Sequence, residues 1–257
     1  MVIIAGIDSG TKNTKTVIMR DGRIIGSGLT ATGFDQVQAV KKSLESALKE
    51  ASISLRDLTC ISGTGSGVDA ILEADVTVNE MKAISVAAHY FFPSCRIVAD
   101  IGAEETRVVR FDERGRVEDF TVNARCAAGA GAFIEAMARA LETPVESMGK
   151  LALTSSNPIH LNAQCVIFAE SEVVGLIHAN VPKNDIIMAI HDAVGNRIAS
   201  MIRRLGTFTD MVLVGGVARN QGVVEAVKRE LDIHQVFVPE KPEFAAAVGA
   251  AVVAARD

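Results

Sequence analysis

The sequence predicts an α/β protein built from two related lobes. Three observations carry that prediction: a block that occurs twice, strands and helices that alternate along the whole chain, and a composition suited to a packed interior. Residues 5–24 read AGIDSGTKNTKTVIMRDGRI and residues 98–117 read VADIGAEETRVVRFDERGRV. Asp8 aligns with Asp100, Gly10 with Gly102, Thr14 with Thr106, Lys15 with Arg107, and Gly22 with Gly115 after one inserted residue. Each copy is an apolar strand, an Asp-x-Gly turn, a β-branched strand, a second turn containing Gly, and another strand. The simplest organisation is a duplication with its boundary near residues 93–97. That gives an N-terminal lobe of residues 1–96 and a C-terminal lobe of residues 97–257, with the last helix able to pack back toward the first lobe.

Composition bounds the function. The 257 residues are 49% apolar, which is enough to build a core without disulfide staples. Net charge is −5, from 26 Lys and Arg against 31 Asp and Glu, and the chain has one Tyr and no Trp. Scattered cations and few aromatics give neither a phosphate-tracking face nor a base-stacking platform, which excludes nucleic-acid binding. The longest apolar run, Phe244 to Ala255, falls well short of the roughly 20 residues that span a bilayer. Val2–Ile7 is short, follows no basic segment and is interrupted by Gly6. No secretion signal is expected, so the expectation is a soluble, cytoplasmic chain. Four Cys in that compartment are buried small residues or reactive thiols rather than disulfides.

The elements follow in order. After the first hairpin, Gln36–Ala51 carries Val37, Val40, Leu44 and Leu48 at helical spacing. Leu58–Ser62 is a short strand that runs into the Gly-rich turn Gly63–Gly67. Val76–Phe92 begins as a strand and becomes a helix, and Cys95–Asp100 opens the second copy. Gly131–Glu142, Cys165–Asn180 and Asp185–Leu205 read as helices. Met211–Val214 is a buried strand ending in Gly215-Gly216, Asn220–Leu231 a helix, and Val236–Val238 a strand. Phe244–Arg256 is a helix of small residues with Pro242 just ahead of it.

Three segments carry phosphate chemistry. Asp8-Ser9-Gly10-Thr11-Lys12 is a strand feeding a Gly turn with hydroxyls. Such a turn can wrap backbone N–H groups around phosphate oxygens while the carboxylate holds a hydrated Mg2+. It is also a common hairpin turn, and its recurrence at Asp100-Ile101-Gly102 is what favours a paired phosphate clamp. The third segment runs from Val212 to Asn220, where Gly215-Gly216 at a helix start lets a sugar or phosphate approach the backbone closely. Lys12, Lys15 and Arg219 could touch phosphate or ribose, or be solvated.

Two further segments hold thiols. Cys126-Ala127-Ala128-Gly129-Ala130-Gly131-Ala132-Phe133 leads a cysteine into a helix, and Asn162-Ala163-Gln164-Cys165 places another at a helix start, ahead of Phe168-Ala169-Glu170-Ser171-Glu172. Helix N-termini stabilise thiolates and anionic clusters, yet without a Cys-x-x-Cys the spacing alone does not suggest a metal, and two buried thiols are the simpler reading of these residues. Cys60 and Cys95 lie in or beside apolar strand segments, match no ligand motif and are assigned to the core. His89, His160, His178, His191 and His234 lack ligand spacing.

The two hairpins and the Gly-Gly segment, in this order, resemble the nucleotide-binding signature of the actin, sugar-kinase and heat-shock-chaperone superfamily. The two cysteine motifs resemble those of the ATPase/activator family of 2-hydroxyacyl-CoA dehydratases and benzoyl-CoA reductases. The resemblance covers nearly the whole chain. It implies two duplicated actin-like (ribonuclease H-like) lobes with ATP or ADP and Mg2+ in the cleft between them. Asp8, Asp100 and Glu104 would act in catalysis. Ser9, Gly10, Thr11, Lys12, Gly102, Ala103, Gly129, Gly131, Gly215, Gly216, Val217 and Asn220 would line the nucleotide. It further implies a 4Fe–4S cluster shared by two subunits, each contributing Cys126 and Cys165, since two ligands doubled by two-fold symmetry meet the four-thiolate requirement. The partner subunit would be a second copy or a paralogue. A ferredoxin or flavodoxin would supply the electron, and a dehydratase or reductase component would receive it, in anaerobic metabolism. The alternative is a small-molecule or sugar kinase on the same scaffold, which leaves the two cysteines without a role.

One departure stands out. The family's second phosphate loop commonly reads Asp-x-Gly-Gly-Gln-Asp, whereas this chain has Asp100-Ile101-Gly102-Ala103-Glu104-Glu105. Ala103 stiffens the loop, and two carboxylates stand beside anionic phosphates. Either Glu104 takes over as a metal- or water-positioning group, or hydrolysis slows. A drifted loop also suits a pair of non-identical ATPase subunits, as in the benzoyl-CoA reductases.

Overall fold

The structure, a computed structural model, describes residues 2–123, 129–161 and 166–256. It resolves into two five-stranded sheets and two compact units. One unit comprises Met1–Val98, Val109–Asp119 and Pro239–Asp257, and the other Ala99–Val108 and Phe120–Val238.

The first sheet has the order β3-β2-β1-β4-β5, formed by β1 (Ile3–Ser9), β2 (Asn13–Arg20), β3 (Arg23–Ala31), β4 (Cys60–Thr64) and β5 (Val76–Thr77). β1, β2 and β3 form an antiparallel meander, and β4 joins β1 in parallel with Ile4 opposite Cys60 and Asp8 opposite Thr64. The strand predicted at 58–62 starts later, at Cys60, because Ser54 and Asp57 close a short turn over Leu55–Asp57. The second sheet has the order β10-β9-β6-β7-β8, from β6 (Ile97–Ile101), β7 (Thr106–Phe111), β8 (Val117–Asn123), β9 (Asp210–Val214) and β10 (Gln235–Phe237). The two orders match strand for strand, with β6 in the place of β1, β7 of β2, β8 of β3, β9 of β4 and β10 of β5. The duplication read from two hairpins therefore extends to all ten strands among the described residues.

Both faces of the first sheet are covered, and small residues decide how closely. Helix α1 (Gln36–Ala51), capped by Asp35 through the Gln38 N–H, lies on β3. Gly26 and Gly28 admit it: a Cβ on Gly28 would lie 2.0 Å from Ser43 O. On the opposite face, α8 (Ala245–Ala254) packs on β1 and on α2 (Glu80–Phe91). A Cβ on Gly6 would lie 2.0 Å from Ala247 O, and one on Gly249 would lie 1.8 Å from Ala83 O. Backbone meets backbone on both sides of α8, and burial of its Val and Ala side chains stabilises the seam by the hydrophobic effect.

The second unit's helices are α3 (Ala130–Ala140), α4 (Val145–Ala152), α5 (Val166–His178), α6 (Lys183–Leu205) and α7 (Gln221–Leu231). α4 is absent from the sequence reading because Gly149 interrupts its eight residues, and that glycine is present because a Cβ there would lie 2.5 Å from Asn220 Oδ1. Helix α6 starts at Lys183, two residues before the predicted Asp185, and its first turn gathers the preceding loops. Lys183 Nζ donates to Leu141 O (2.8 Å), Asn184 to Thr154 Oγ1 (2.8 Å), and buried Asp185 accepts from Ser155 Oγ (2.7 Å). Among the described residues, no helix is long and apolar enough to cross a membrane.

Candidate active site

The first hairpin joins β1 to β2 through Gly10–Lys12. Its register sets Asp8 opposite Lys15, and Lys15 Nζ donates to Asp8 Oδ2 at 2.9 Å. The turn closes with Gly10 N–H on Asn13 O (3.2 Å). Thr32 pins it from behind, its N–H on Lys12 O (2.9 Å) and its hydroxyl on Gly10 O (2.7 Å). Thr11 and Lys12 are exposed at the tip, whereas Asp8 is nearly buried and Ser9 wholly so. The Ser9 hydroxyl has no protein partner and faces Gly67, where a Cβ would lie 2.7 Å from it. Ser9 can therefore offer a ligand its backbone more readily than its side chain.

The second hairpin repeats the first, with Gly102 N–H on Glu105 O at 2.9 Å. Glu104 is exposed at its tip and Ala103 half-buried. Arg107 hydrogen-bonds Glu105 and lies 3.8 Å from Asp100 Oδ2.

A glycine in left-handed backbone buttresses each aspartate. Gly65 after β4 has φ +97°, and a Cβ on it would lie 2.5 Å from Asp8 Oδ1 and 2.6 Å from Ser9 O. Gly215 after β9 has φ +86°, and its Cβ would lie 2.5 Å from Asp100 Oδ1 and from Ile101 O. Only a residue without Cβ meets both demands. Sequence reasoning singled out Gly215 but not Gly65 as its twin. The signal was available: in each copy, the strand next to the aspartate strand in the sheet is followed directly by such a glycine. Gly216 is exposed and a Cβ there would meet nothing within 4 Å, so the strand end leaves open space for a ligand. Val217 is half-buried beside it.

Asn220 has a structural task. Its Oδ1 caps α7, accepting from Gly222 N–H (3.0 Å) and Val223 N–H (3.3 Å), and it faces His191 Nε2 at 3.1 Å. The amide oxygen is thus committed to the fold. Burial holds His191 below the ordinary imidazole range, against the pull of its contacts with Ile187 O and Asn220.

Helix α3 is docked onto the second hairpin. Gly131 N–H donates to Gly102 O (3.2 Å) and Ala132 N–H to Ala103 O (2.9 Å). A Cβ on Gly129 would lie 2.2 Å from Glu104 Cα, and one on Gly131 would lie 2.9 Å from Ala103 Cα. The Gly-x-Gly after Cys126 is therefore a packing requirement: it lets a helix N-terminus, rich in free N–H groups, rest on a hairpin backbone. Cys126 and Cys165 themselves lie outside the described residues. The two cysteines read as core are thiols rather than halves of a disulfide. Cys95 is buried, and burial followed by the neighbouring Asp75 carboxylate pushes the Cys60 thiol up. Neither suits a metal. Among the described residues, no group of three or more His, Cys, Asp or Glu could hold one.

The chain matches the BadF/BadG/BcrA/BcrD ATPase family model over residues 5–254. Component A of the (R)-2-hydroxyglutaryl-CoA dehydratase of Acidaminococcus fermentans superposes with a TM-score of 0.94 at 30% identity, over 98% of this chain and 97% of that one. The activator of the 2-hydroxyisocaproyl-CoA dehydratase of Clostridium difficile, solved with bound ADPNP, gives 0.92 at 32% identity, over 98% and 94%. A benzoyl-CoA reductase subunit of Thauera aromatica is 29% identical over 98% of this chain and 93% of that protein. A ROK family glucokinase of Streptomyces griseus, covering 99% and 100%, superposes with a TM-score of 0.63 at 16% identity and shares the fold alone. The fold is that of the actin-like ATPases and sugar kinases. Matched by the family model from residue 5 to residue 254 and by relatives over almost their whole length, the chain belongs to the BadF/BadG/BcrA/BcrD ATPase family.

Proposed function

We propose that this chain is an ATP-hydrolysing electron-transfer subunit, either the activator of a 2-hydroxyacyl-CoA dehydratase or an ATPase subunit of a benzoyl-CoA reductase. It would pair with a second copy or a paralogous subunit in the cytoplasm. A ferredoxin or flavodoxin would supply its electron, and a dehydratase or reductase component would accept it. The observation that carries this reading is the docking of α3 on the second hairpin. It joins a phosphate-type loop to the helix that follows the Cys126 motif in the sequence, within one unit. The named relatives support it: two serve dehydratases, one of these was solved with a nucleotide analogue, and one belongs to a reductase.

The residues fit the cofactors in their donor chemistry. Asp8 and Asp100 end apolar strands and offer oxygen donors suited to a hydrated magnesium ion, which when bound neutralises phosphate charge. Cys126 and Cys165 are the thiols left once Cys60 and Cys95 are given to the core, two of the four a shared 4Fe–4S cluster needs. That cluster supplies one-electron chemistry at low potential. In each unit the remaining backbone N–H groups of the turn would offer donors to phosphate oxygens, and the open space at Gly216 would leave room for the nucleoside. A shift of Gly102 or Ala103 on hydrolysis pulls the first N–H groups of α3, only a few residues after Cys126. Ala103 is the stiffer choice for that loop, and Glu104, exposed at its tip, would orient water. A kinase reading has the shared fold in its favour and gives the cysteine motifs no role.

Anaerobically purified protein should be brown, with broad visible absorption. That absorption should be lost in Cys126→Ser and in Cys165→Ser while the far-ultraviolet circular dichroism is kept. Colourless anaerobic protein that phosphorylates a sugar or other small molecule would overturn the proposal.

A further inference from the structure

Buried hydroxyls in the first unit are, as a rule, paired. Thr14 Oγ1 meets Thr32 Oγ1 at 3.0 Å, Thr16 Oγ1 meets Ser43 Oγ at 2.8 Å, and Ser85 Oγ donates to Gly115 O at 3.0 Å. Three break the rule. Ser9, Ser62 and Thr64 are wholly buried, and their hydroxyls have no hydrogen-bond partner among the described residues. Such a hydroxyl loses its hydration and gains nothing in return. The duplication shows that the fold itself does not require them. Aligned through Asp8 with Asp100 and through Gly65 with Gly215, Ser9 corresponds to Ile101, Ser62 to Val212 and Thr64 to Val214, all three aliphatic and wholly buried. Valine has the shape of threonine and suits a strand equally well, so the hydroxyl is all that threonine adds.

Of the three, Thr64 is the one set across from a carboxylate. In the sheet register Asp8 is opposite Lys15 on β2 and opposite Thr64 on β4. Residues opposite one another on neighbouring strands leave the same face of the sheet. Lys15, Asp8 and Thr64 therefore form a row across β2, β1 and β4, with the carboxylate in the middle. Asp8 Oδ2 is held on one side by Lys15 Nζ at 2.9 Å. On the other side Gly65, next in sequence to Thr64, leaves room for Asp8 Oδ1, since a Cβ there would lie 2.5 Å from it. We infer that Thr64 is a positioning residue, a second partner that takes over the Asp8 carboxylate when magnesium and nucleotide bind. A divalent cation at Asp8 repels the Lys15 ammonium while phosphates attract it, and both forces loosen the pair. Asp8 then accepts a hydrogen bond from the Thr64 hydroxyl, keeps its charge for the metal, and releases Lys15 to the phosphates. In the ligand-free chain Lys15 holds the carboxylate and Thr64 waits without a partner.

The inference rests on the reading above that the chain binds nucleotide and magnesium, and its test separates the two. Magnesium is titrated into the full-length protein in the presence of a fluorescent non-hydrolysable ATP analogue, and thermal unfolding is followed without either ligand. Wild-type protein that does not bind the analogue, or binds it without magnesium dependence, would overturn the reading itself and the inference with it. In Thr64→Val an unpaired hydroxyl becomes a methyl, and the unfolding temperature of the ligand-free protein should rise by about 2 °C. The same variant should need about tenfold more magnesium for half-saturation. Thr64→Ser, which keeps the hydroxyl, should stay within about twofold of wild type. Ser62→Ala removes the other unpaired hydroxyl of β4 and should leave the magnesium dependence unchanged. In a Lys15→Met background, where no ammonium competes for Asp8, Thr64→Val should change the magnesium requirement by less than about twofold. The inference is overturned if Thr64→Val leaves the magnesium dependence unchanged, whatever its effect on stability. It is also overturned if Ser62→Ala shifts that dependence as much, or if Thr64→Val keeps its full effect in the Lys15→Met background, since Thr64 would then not act by drawing Asp8 from Lys15. Should Thr64→Val fail to fold, Thr64→Ala carries the same magnesium comparison.

Discussion

A single histidine gives the second unit an acid-sensitive joint. His191 is fully buried between α6 and α7, with Nδ1 2.7 Å from Ile187 O and Nε2 3.1 Å from Asn220 Oδ1. A neutral ring has one N–H for two oxygen acceptors, and protonation would serve both. Burial nonetheless holds its pKa down, with Asp192 pulling upward and Arg229 downward more weakly. The native state thus refuses a proton that the unfolded chain accepts near the usual value of about 6.5. Stability should therefore be lost as pH falls from about 6.5 toward the depressed native value. The urea midpoint should drop between neutral pH and mildly acid pH, and His191→Gln should flatten part of that slope. Part should remain, because burial also lowers His89, helped by Arg256 and Arg96. An unchanged slope in the variant would assign the effect elsewhere. At this scale the sequence was uneven as a guide. Asp8, Asp100 and Gly215 could be singled out because their type and spacing recur. The partners of Lys15 and Arg107 could not, since pairing depends on which neighbour is a carboxylate and which an amide in three dimensions. His191 has no ligand spacing because its partners are backbone and a helix cap.

Helices in this protein are separated by what glycine makes possible between them. Gly249 in α8 and Gly175 in α5 occupy the same kind of backbone, yet a Cβ would strike Ala83 O at 1.8 Å in the first case and meet nothing within 4 Å in the second. Alanine has the better helix propensity by about 1 kcal/mol. Gly175→Ala should therefore stabilise by up to about 1 kcal/mol. Gly249→Ala should destabilise by about 2 kcal/mol or more, because overpacking outweighs propensity. Urea denaturation of the two variants side by side checks the opposite signs. Gly129→Ala belongs with the overpacked kind. Its Cβ would overlap Glu104 Cα, so α3 should lift from the second hairpin and ATP turnover should fall while α1 and α8 stay folded. Element identity was largely legible where periodicity is strong, as in α1, α6 and α7. It failed at α4, whose Gly149 is dictated by a partner on another element.

For the whole molecule, the duplicated plan was readable because both copies kept the Asp-x-Gly turn and the cation after it. Its full extent was not. A single helix, α1, separates β3 from β4, whereas α3, α4, α5 and α6 lie between β8 and β9, and that insertion hides the equivalence of Gly65 and Gly215. The first unit also draws on distant stretches of chain, since Pro239–Asp257 belongs to it. Deleting those residues should strip the cover from Gly6 and Ala83 and abolish hydrogen-exchange protection in β1 and α2. Retained protection there would show that α8 is dispensable to the first unit's core. The placement of α8 has one more consequence, for a chain made from one end. On the ribosome, β1 to α2 emerge early but keep an uncovered face until residues 245–254 arrive, after every residue of the second unit has been synthesised. The first-made half is thus the last to finish folding, and during translation its bare sheet face is the surface for which a chaperone and an aggregate would compete.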